Sequence, residues 1–318
     1  MANSQEHSHD DCSKHEHEDD KWIQIERVYE EKSNEEESLI DWLTKNVDLY
    51  LPSVVADGVT ENTTSDENYS ILSFGCGSGT KDRAILAAIS SRLSEETKIV
   101  YHAVDPVASQ IEKFKKAIQN GYEIQEPFKK VRFSFFAQTY EDYMQNRSKD
   151  EGVPSKANLI LFIDSLCHFT SSAEDALVHC YNNVVAQDGV ILVTLWNNQD
   201  FWFKIREIYG KNRNSERKEE ESNDYLTIQE VEEIVKKHGW NFKLFSPEYS
   251  LDITECFNST SEAGKHLLDC LACFSNVKDE VDSDPKKLFN FLQESQSISE
   301  NEHLLKGRHG TLVIYKQE

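Results

Sequence analysis

Short, nearly unbroken apolar runs alternate along this chain with stretches whose apolar residues recur every three or four positions. The first run, "YSILSFG" (Tyr69 to Gly75), ends at a glycine cluster, after which Ala84, Ile85, Ala88, Ile89 and Leu93 recur at helical spacing. "KIVYHAVD" (Lys98 to Asp105) reads as a second buried strand, and Ile111, Phe114 and Ile118 mark the helix after it. "VRFSFFA" (Val131 to Ala137), "ANLILFID" (Ala157 to Asp164) and "GVILVTLW" (Gly189 to Trp196) predict three more strands, with a helix around Ala173 to Val185 between the last two. Apolar strands separated by helices predict a parallel sheet covered on both faces. Further on, "TIQEVEEIVKKHG" opens with Thr227 and Glu230 in a capping-box pattern, followed by strand-like "NFKLF" and a final strand, "GTLVIYKQ", Gly310 to Gln317. The whole predicts one doubly wound α/β domain with additions.

Two polar stretches stand outside this pattern. Residues 1–20 alternate His7, His9, His15 and His17 with acids and Cys12, which allows metal binding to be imagined; the composition reads rather as a solvated, disordered leader. "GKNRNSERKEEESND", Gly210 to Asp224, reads as an exposed insertion. The remainder, residues 21–318, is expected to be one domain, with substrate-binding additions at about 21–55 and 197–300. Charge narrows the partners. The 318 residues carry a formal net charge of -23, a surface that repels phosphate backbones and anionic lipid. No apolar run approaches the roughly 20 residues that span a bilayer, and the N-terminus lacks the apolar core of a secretory signal. Seven cysteines without regular spacing do not form a disulfide framework. Cys270 and Cys273 share the apolar face of a helical pattern, and no second C-x-x-C accompanies them, so they read as buried thiols and no metal site is expected. The expectation is a cytoplasmic monomer.

The glycines then acquire meaning. In such sheets ligands bind beyond the carboxyl ends of the strands, and a glycine turn admits a ligand where a Cβ would clash. Dinucleotide sites favour G-x-G-x-x-G, whereas this chain has Gly75-x-Gly77-x-Gly79, then Thr80, Lys81 and Asp82. No G-K-[ST] follows, which excludes a P-loop. Asp105, ending the second strand, is placed to accept hydrogen bonds from a ribose diol. The tighter glycine spacing with the following "VDP" is the form associated with S-adenosylmethionine methyltransferases; a nicotinamide-dependent oxidoreductase on a Rossmann sheet is the competing reading.

At this point the sequence resembles the histamine N-methyltransferase family, including its relatives that methylate carnosine-type imidazoles. "ILSFGCGSG" resembles the family's cofactor loop, "DPVASQIEKFK" its acidic-Pro-x-x-x-Gln segment with Asp105 in place of a glutamate, and "LDITECF" followed by "GKHLLDCLACF" a late segment that general methyltransferases lack. The similarity runs from about Trp22 to the C-terminus. It implies a class I S-adenosylmethionine methyltransferase fold with an antiparallel final strand and a substrate cap, S-adenosylmethionine as cofactor, and a small imidazole as substrate. It further implies that Gly75, with Gly77 beside it in the turn, lies against the cofactor's methionine portion. Asp105 would hold the ribose and Gln110 the same nucleoside, while Ile163 would pack at the adenine or donor end. Tyr140 replaces a small hydroxyl residue near adenine, so contact there would be by backbone. Without the resemblance Gln110 is an exposed helix-start residue.

Methyl transfer from a sulfonium is an in-line displacement, and a neutral imidazole nitrogen is already a competent nucleophile, so alignment and water exclusion are the main requirements. An acid accepting the other ring N–H fixes the tautomer and stabilises the cation that forms. Glu35 matches the family's substrate-binding glutamate; alone, the run Glu35-Glu36-Glu37 reads as a solvated helix face. Trp22, Tyr29, Trp202 and Phe257 fall at or near the family's aromatic pocket positions, fitting a ring that becomes cationic. Departures are equally informative. Cys167 and His168 replace two tyrosines, Asp164 a glutamine, Glu26 an aromatic and Gly307 an asparagine, with Lys306, Arg308 and His309 beside the last. A carboxylate-bearing imidazole such as histidine or carnosine, gripped by Arg308 with its ammonium on Asp164, is therefore one expectation. The plainer one leaves these basic residues facing solvent, since strand alternation puts Arg308 and His309 on opposite faces. A catalytically silent relative that binds partners through its acidic surface is the third class.

Overall fold

A computed structural model describes residues 24–25, 27–51, 68–120, 123–147, 154–169, 173–210, 226–274, 285–299 and 301–317. The leader and residues 211–224 of the polar insertion lie outside them. The chain forms two compact units, one of residues 37–198, 223–247 and 308–318 and one of residues 1–36, 199–222 and 248–307.

In the larger unit, β1 (Tyr69–Phe74), β2 (Ile99–Val104), β3 (Val131–Phe136), β4 (Ala157–Ile163) and β5 (Val185–Trp196) pair in parallel. They are joined through α2 (Thr80–Arg92), α3 (Ala108–Ala117), α4 (Tyr140–Asn146) and α5 (Ala173–His179), while α1 (Glu35–Lys45) precedes β1. The long last strand, β9 (Glu302–Tyr315), enters this unit at Arg308 and pairs antiparallel with β5 (Leu312 opposite Val193) and with β6 (Asn241–Phe245). The strand order is β3-β2-β1-β4-β5-β9-β6. Neighbours of β1 lead away in both directions, so the order reverses between β1 and β4, the place where such sheets bind ligands.

The expected continuous burial holds at the sheet centre, where every residue of β1 and β2 is buried. One face packs Leu39, Ile85, Ile89, Ile111 and Phe114 against the strands, and the other packs Tyr143, Leu177, Val231 and Val235. Each such side chain contributes about 1.5–3 kcal/mol on leaving water. The capping box forms as the sequence predicts: Thr227 and Glu230 cap α7 (Ile228–Lys237). Two boundaries differ. The helix expected to reach Val185 ends at His179 and passes through a wider turn, Cys180–Val184, that keeps Cys180 and Val184 buried. The final strand starts at Glu302 rather than Gly310, because its first residues pair within the smaller unit despite carrying little apolar alternation.

That smaller unit holds α6 (Phe201–Gly210), β7 (Glu248–Asp252), α8 (Glu262–Phe274), α9 (Pro285–Ser295) and β8 (Ser297–Ser299). β8 pairs antiparallel with the start of β9, Ser297 opposite Leu304, and Ser33 bridges Leu251. Cys270 is buried in α8. Among the described residues no helix is long and apolar enough to cross a membrane, and no cluster of three or more His, Cys, Asp or Glu side chains is arranged to hold a metal.

Below the glycine turn, one buried acid joins three elements of the larger unit. Asp82 in α2 accepts the Ser73 hydroxyl of β1 at 2.6 Å and the Tyr101 hydroxyl of β2. Burial pushes its carboxyl above the usual Asp range, against the lowering effect of these bonds. The native state therefore keeps the proton to higher pH than the unfolded chain, and this stabilisation is lost as pH rises through the folded pKa. Asp82→Asn, which retains an acceptor without the charge, should gain stability relative to wild type as pH rises above the usual Asp range, measured by urea unfolding. A stability difference constant with pH would contradict the burial account.

Candidate active site

The chain leaves β1 through a turn whose backbone favours glycine. Gly75 and Gly77 have φ of +66° and +54°, and a Cβ on Gly75 would lie 2.4 Å from that of Ser165. A Cβ on Gly77 would meet nothing within 4 Å, so this backbone faces open space. Asp105, just past β2, holds the turn: one carboxylate oxygen accepts the Gly77 N–H at 2.9 Å and the other the Val107 N–H at 2.8 Å. The Gly75 N–H donates to the Val104 carbonyl at 2.8 Å. A carboxylate offers about four acceptor sites, so two bonds leave Asp105 capacity for a diol.

Beside the turn, at the carboxyl ends of β1, β2 and β4, lies a cavity of about 410 Å³. Phe74, Tyr140 and Phe169 make an aromatic wall; the Phe74–Tyr140 and Tyr140–Phe169 ring centroids are each 5.0 Å apart. Asp105, Asp164 and His168 bring polar groups to the lining. An aromatic slot with an acid beside a glycine turn fits an adenosine, whose base stacks and whose ribose donates hydrogen bonds.

Of the residues predicted for the cofactor, Gly75, Asp105 and Tyr140 line this cavity, and Gly77 stands in the turn held by Asp105. The Tyr140 hydroxyl turns away, toward the Ala176 carbonyl at 3.4 Å and the Cys180 thiol, leaving ring and backbone to the cavity. Gln110 is half-buried in the first turn of α3 and Ile163 packs in the core; neither is among the lining residues. Asp164 and His168 also line the cavity, and Asp164 is already engaged. It accepts the Lys81 ammonium at 2.7 Å and the Thr194 hydroxyl at 2.9 Å, in a left-handed backbone conformation with φ +52°. Burial alone would raise its carboxyl; Lys81 and His309 outweigh it and hold the group below the usual Asp range. Sequence reasoning missed Lys81, Ser165 and the Phe74 and Phe169 walls. The position of Lys81 directly after the glycines was the one available signal.

The smaller unit gathers other predicted residues. Glu35 is half-buried and accepts the Tyr29 hydroxyl, whereas Glu36 and Glu37 are exposed. The Tyr29 ring lies 5.5 Å from that of Trp202. Burial first, then Glu35, push the Tyr29 phenol well above its ordinary value, so it stays a donor. Asp200, which the sequence did not single out, is buried and accepts the Trp202 N–H at 2.9 Å. Gly307, the position of the missing asparagine, is glycine for a local reason: a Cβ there would lie 2.1 Å from the buried Tyr249 ring. Phe257 packs against Phe289 and His303, with centroids 5.2 and 5.0 Å away. Trp22 and Glu26 lie outside the described residues. In the larger unit, Arg308 is exposed while His309 is buried, as strand alternation predicts.

A methyltransferase-domain family model matches residues 47–243, from before β1 into β6. The chain belongs to this methyltransferase family. Histamine N-methyltransferase of Mus musculus is 23% identical over 277 residues, 87% of this chain and 88% of the relative. Carnosine N-methyltransferase 2 of Gallus gallus is 21% identical over 225 residues, 71% of this chain and 65% of the relative. Among solved structures, the plantazolicin methyltransferase BamL, in complex with a triazolic desmethylPZN analog and SAH, is 16% identical with a TM-score of 0.42, covering 93% of this chain and 91% of that one. The resemblance read from the residues is the one these curated relatives return. The methyltransferase's cofactor is S-adenosylmethionine, and the dinucleotide reading gives way. Asp105→Ala, which removes the brace of the turn, should weaken S-adenosylmethionine binding by about 1–3 kcal/mol in calorimetry; unchanged affinity in a folded variant would remove Asp105 from the site.

Proposed function

We propose that this methyltransferase transfers a methyl group from S-adenosylmethionine to a ring nitrogen of a small imidazole: histamine, or a relative such as histidine or carnosine. The observation that carries the reading is the Glu35 environment. One member of a three-acid run is drawn in beside Tyr29 and Trp202, while its two neighbours stay in water. The late segment shared with histamine N-methyltransferases supports the same substrate class.

When bound, the cofactor supplies an electrophilic methyl on a sulfonium. Gly75 and Gly77 would lie against its methionine portion, Asp105 would take the ribose hydroxyls, and Gln110 and the Tyr140 backbone would meet the nucleoside, with Ile163 packed behind. Glu35 then accepts the N–H of the imidazole nitrogen that does not react. This fixes the tautomer in which the other nitrogen carries its lone pair, and it opposes the positive charge that grows on the ring. Tyr29 keeps its proton and orients the Glu35 carboxylate. The Tyr29 and Trp202 faces favour the cationic ring, with Trp22 and Phe257 as further walls in the family pattern. No strong base is required, since the nucleophile is neutral imidazole. His168, Asp164 and Arg308 are the candidates for the substrate's far end. The exposure of Arg308 and the commitment of Asp164 to Lys81 favour the plainer expectation over a carboxylate grip.

Methyl transfer from labelled cofactor across imidazoles and aliphatic amines tests the class: label should appear on ring nitrogens of imidazoles and not on amines. Glu35→Gln should lower kcat by roughly a hundredfold, the scale of losing one preorganised charge partner, with little change in cofactor affinity. Glu36→Gln and Glu37→Gln should stay near wild type. Three equal, small effects would reduce the run to a helix face.

A further inference from the structure

One lining residue of the cavity in the larger unit, Asp164, is half of an ion pair. Lys81 is the second residue of α2, immediately after the glycine turn, and its ammonium meets the Asp164 carboxylate at 2.7 Å, with each side chain about a quarter exposed. Asp164 lies on the cavity wall, past the end of β4, and its neighbour Ser165 packs against Gly75. The pair therefore stands at the glycine turn. Its backbone is unusual as well: Asp164 holds φ +52°, a region that Asp and Asn tolerate best among residues with a Cβ. Thr194 fixes this conformation by accepting the Asp164 N–H with its carbonyl and its hydroxyl, and by donating that hydroxyl to the carboxylate. A strained backbone held by three bonds aims one carboxylate at the cavity.

Elsewhere the lining combines the aromatic wall of Phe74, Tyr140 and Phe169, suited to a flat base, with Asp105, Glu141 and His168. The cofactor has a second end of a different kind, an α-amino acid that is zwitterionic at neutral pH. A lysine and an aspartate side by side are its electrostatic complement. We propose that Lys81 and Asp164 recognise the amino-acid end of S-adenosylmethionine: the α-carboxylate takes the place of Asp164 at the Lys81 ammonium, and the α-ammonium takes the place of Lys81 at Asp164. Two opposite charges enter between two opposite charges, so no unpaired charge is left beside the apolar wall, which would be costly. Lys81 also helps hold the Asp164 carboxyl below the usual Asp range before the ligand arrives. Asp164 is thereby assigned to the cofactor rather than to the ammonium of the methyl acceptor.

This inference rests on S-adenosylmethionine as the cofactor, and two ligands separate the claims. S-adenosylhomocysteine carries the amino-acid end; 5′-methylthioadenosine has the same nucleoside and a thioether without it. Calorimetry on the full chain compares wild type with Lys81→Met and with Asp164→Asn, the latter suited to the left-handed backbone. Each substitution should weaken S-adenosylhomocysteine about ten- to a hundredfold, the scale of a lost charge-assisted hydrogen bond. Methylthioadenosine affinity should stay within about twofold. Equal losses for both ligands would make the pair a brace between α2 and β4 and overturn the proposal, as would no loss for either. Wild type that binds neither nucleoside would overturn the cofactor assignment itself.

Discussion

The Asp105 carboxylate, accepting the Gly77 and Val107 N–H groups, closes the turn between β1 and α2 and thereby sets the open face of the cavity. Without it those two donors would lose their acceptor, and the left-handed turn would keep only backbone bonds such as Gly75 N–H to the Val104 carbonyl and Gly79 N–H to the Cys76 carbonyl. One ionised group at the end of β2 supplies both acceptors while keeping lone pairs for a ligand diol. The dependence runs downward too. β2 can deliver Asp105 there only because it lies in register beside β1, Phe74 opposite Val104, with Asp82 joining both strands to α2 below. Sheet order, glycine spacing and strand-end acid are parts of one constraint: backbone must approach a nucleoside closely without losing its hydrogen bonds.

Much of this was legible in the sequence because it is periodic. Unbroken apolar strands and helical recurrences place β1 through β5, and the G-x-G-x-G spacing with Asp105 marks the turn. What escaped has no period. Lys81 looks like any solvated helix-start lysine until β4 brings Asp164 to it from 83 positions away. Asp164 in turn reads from the sequence as a substrate contact alone, with no sign of the Lys81 ammonium that it accepts. The start of β9 carries no apolar alternation, since its first residues pair with the short strand β8 rather than running through a core. Gly307 reads as a lost substrate contact, whereas locally it is the space taken by the Tyr249 ring.

Glu35 shows how a charge run resolves into unequal members. Three consecutive acids at a helix start differ by about 100° of rotation each. Only one can turn toward Tyr29, and burial raises the cost of leaving it without a partner. A carboxylate held this way has a defined direction, which a solvated neighbour lacks, and direction is what selecting one imidazole tautomer demands.

The most direct test of the central constraint is the crystal structure of the protein with S-adenosylhomocysteine. The account predicts the ribose hydroxyls on Asp105 while the same carboxylate still holds the Gly77 N–H, and the base against Tyr140 and Phe169. A ligand seated away from this cavity, or an Asp105 that releases the turn and makes no ribose contact, would contradict it.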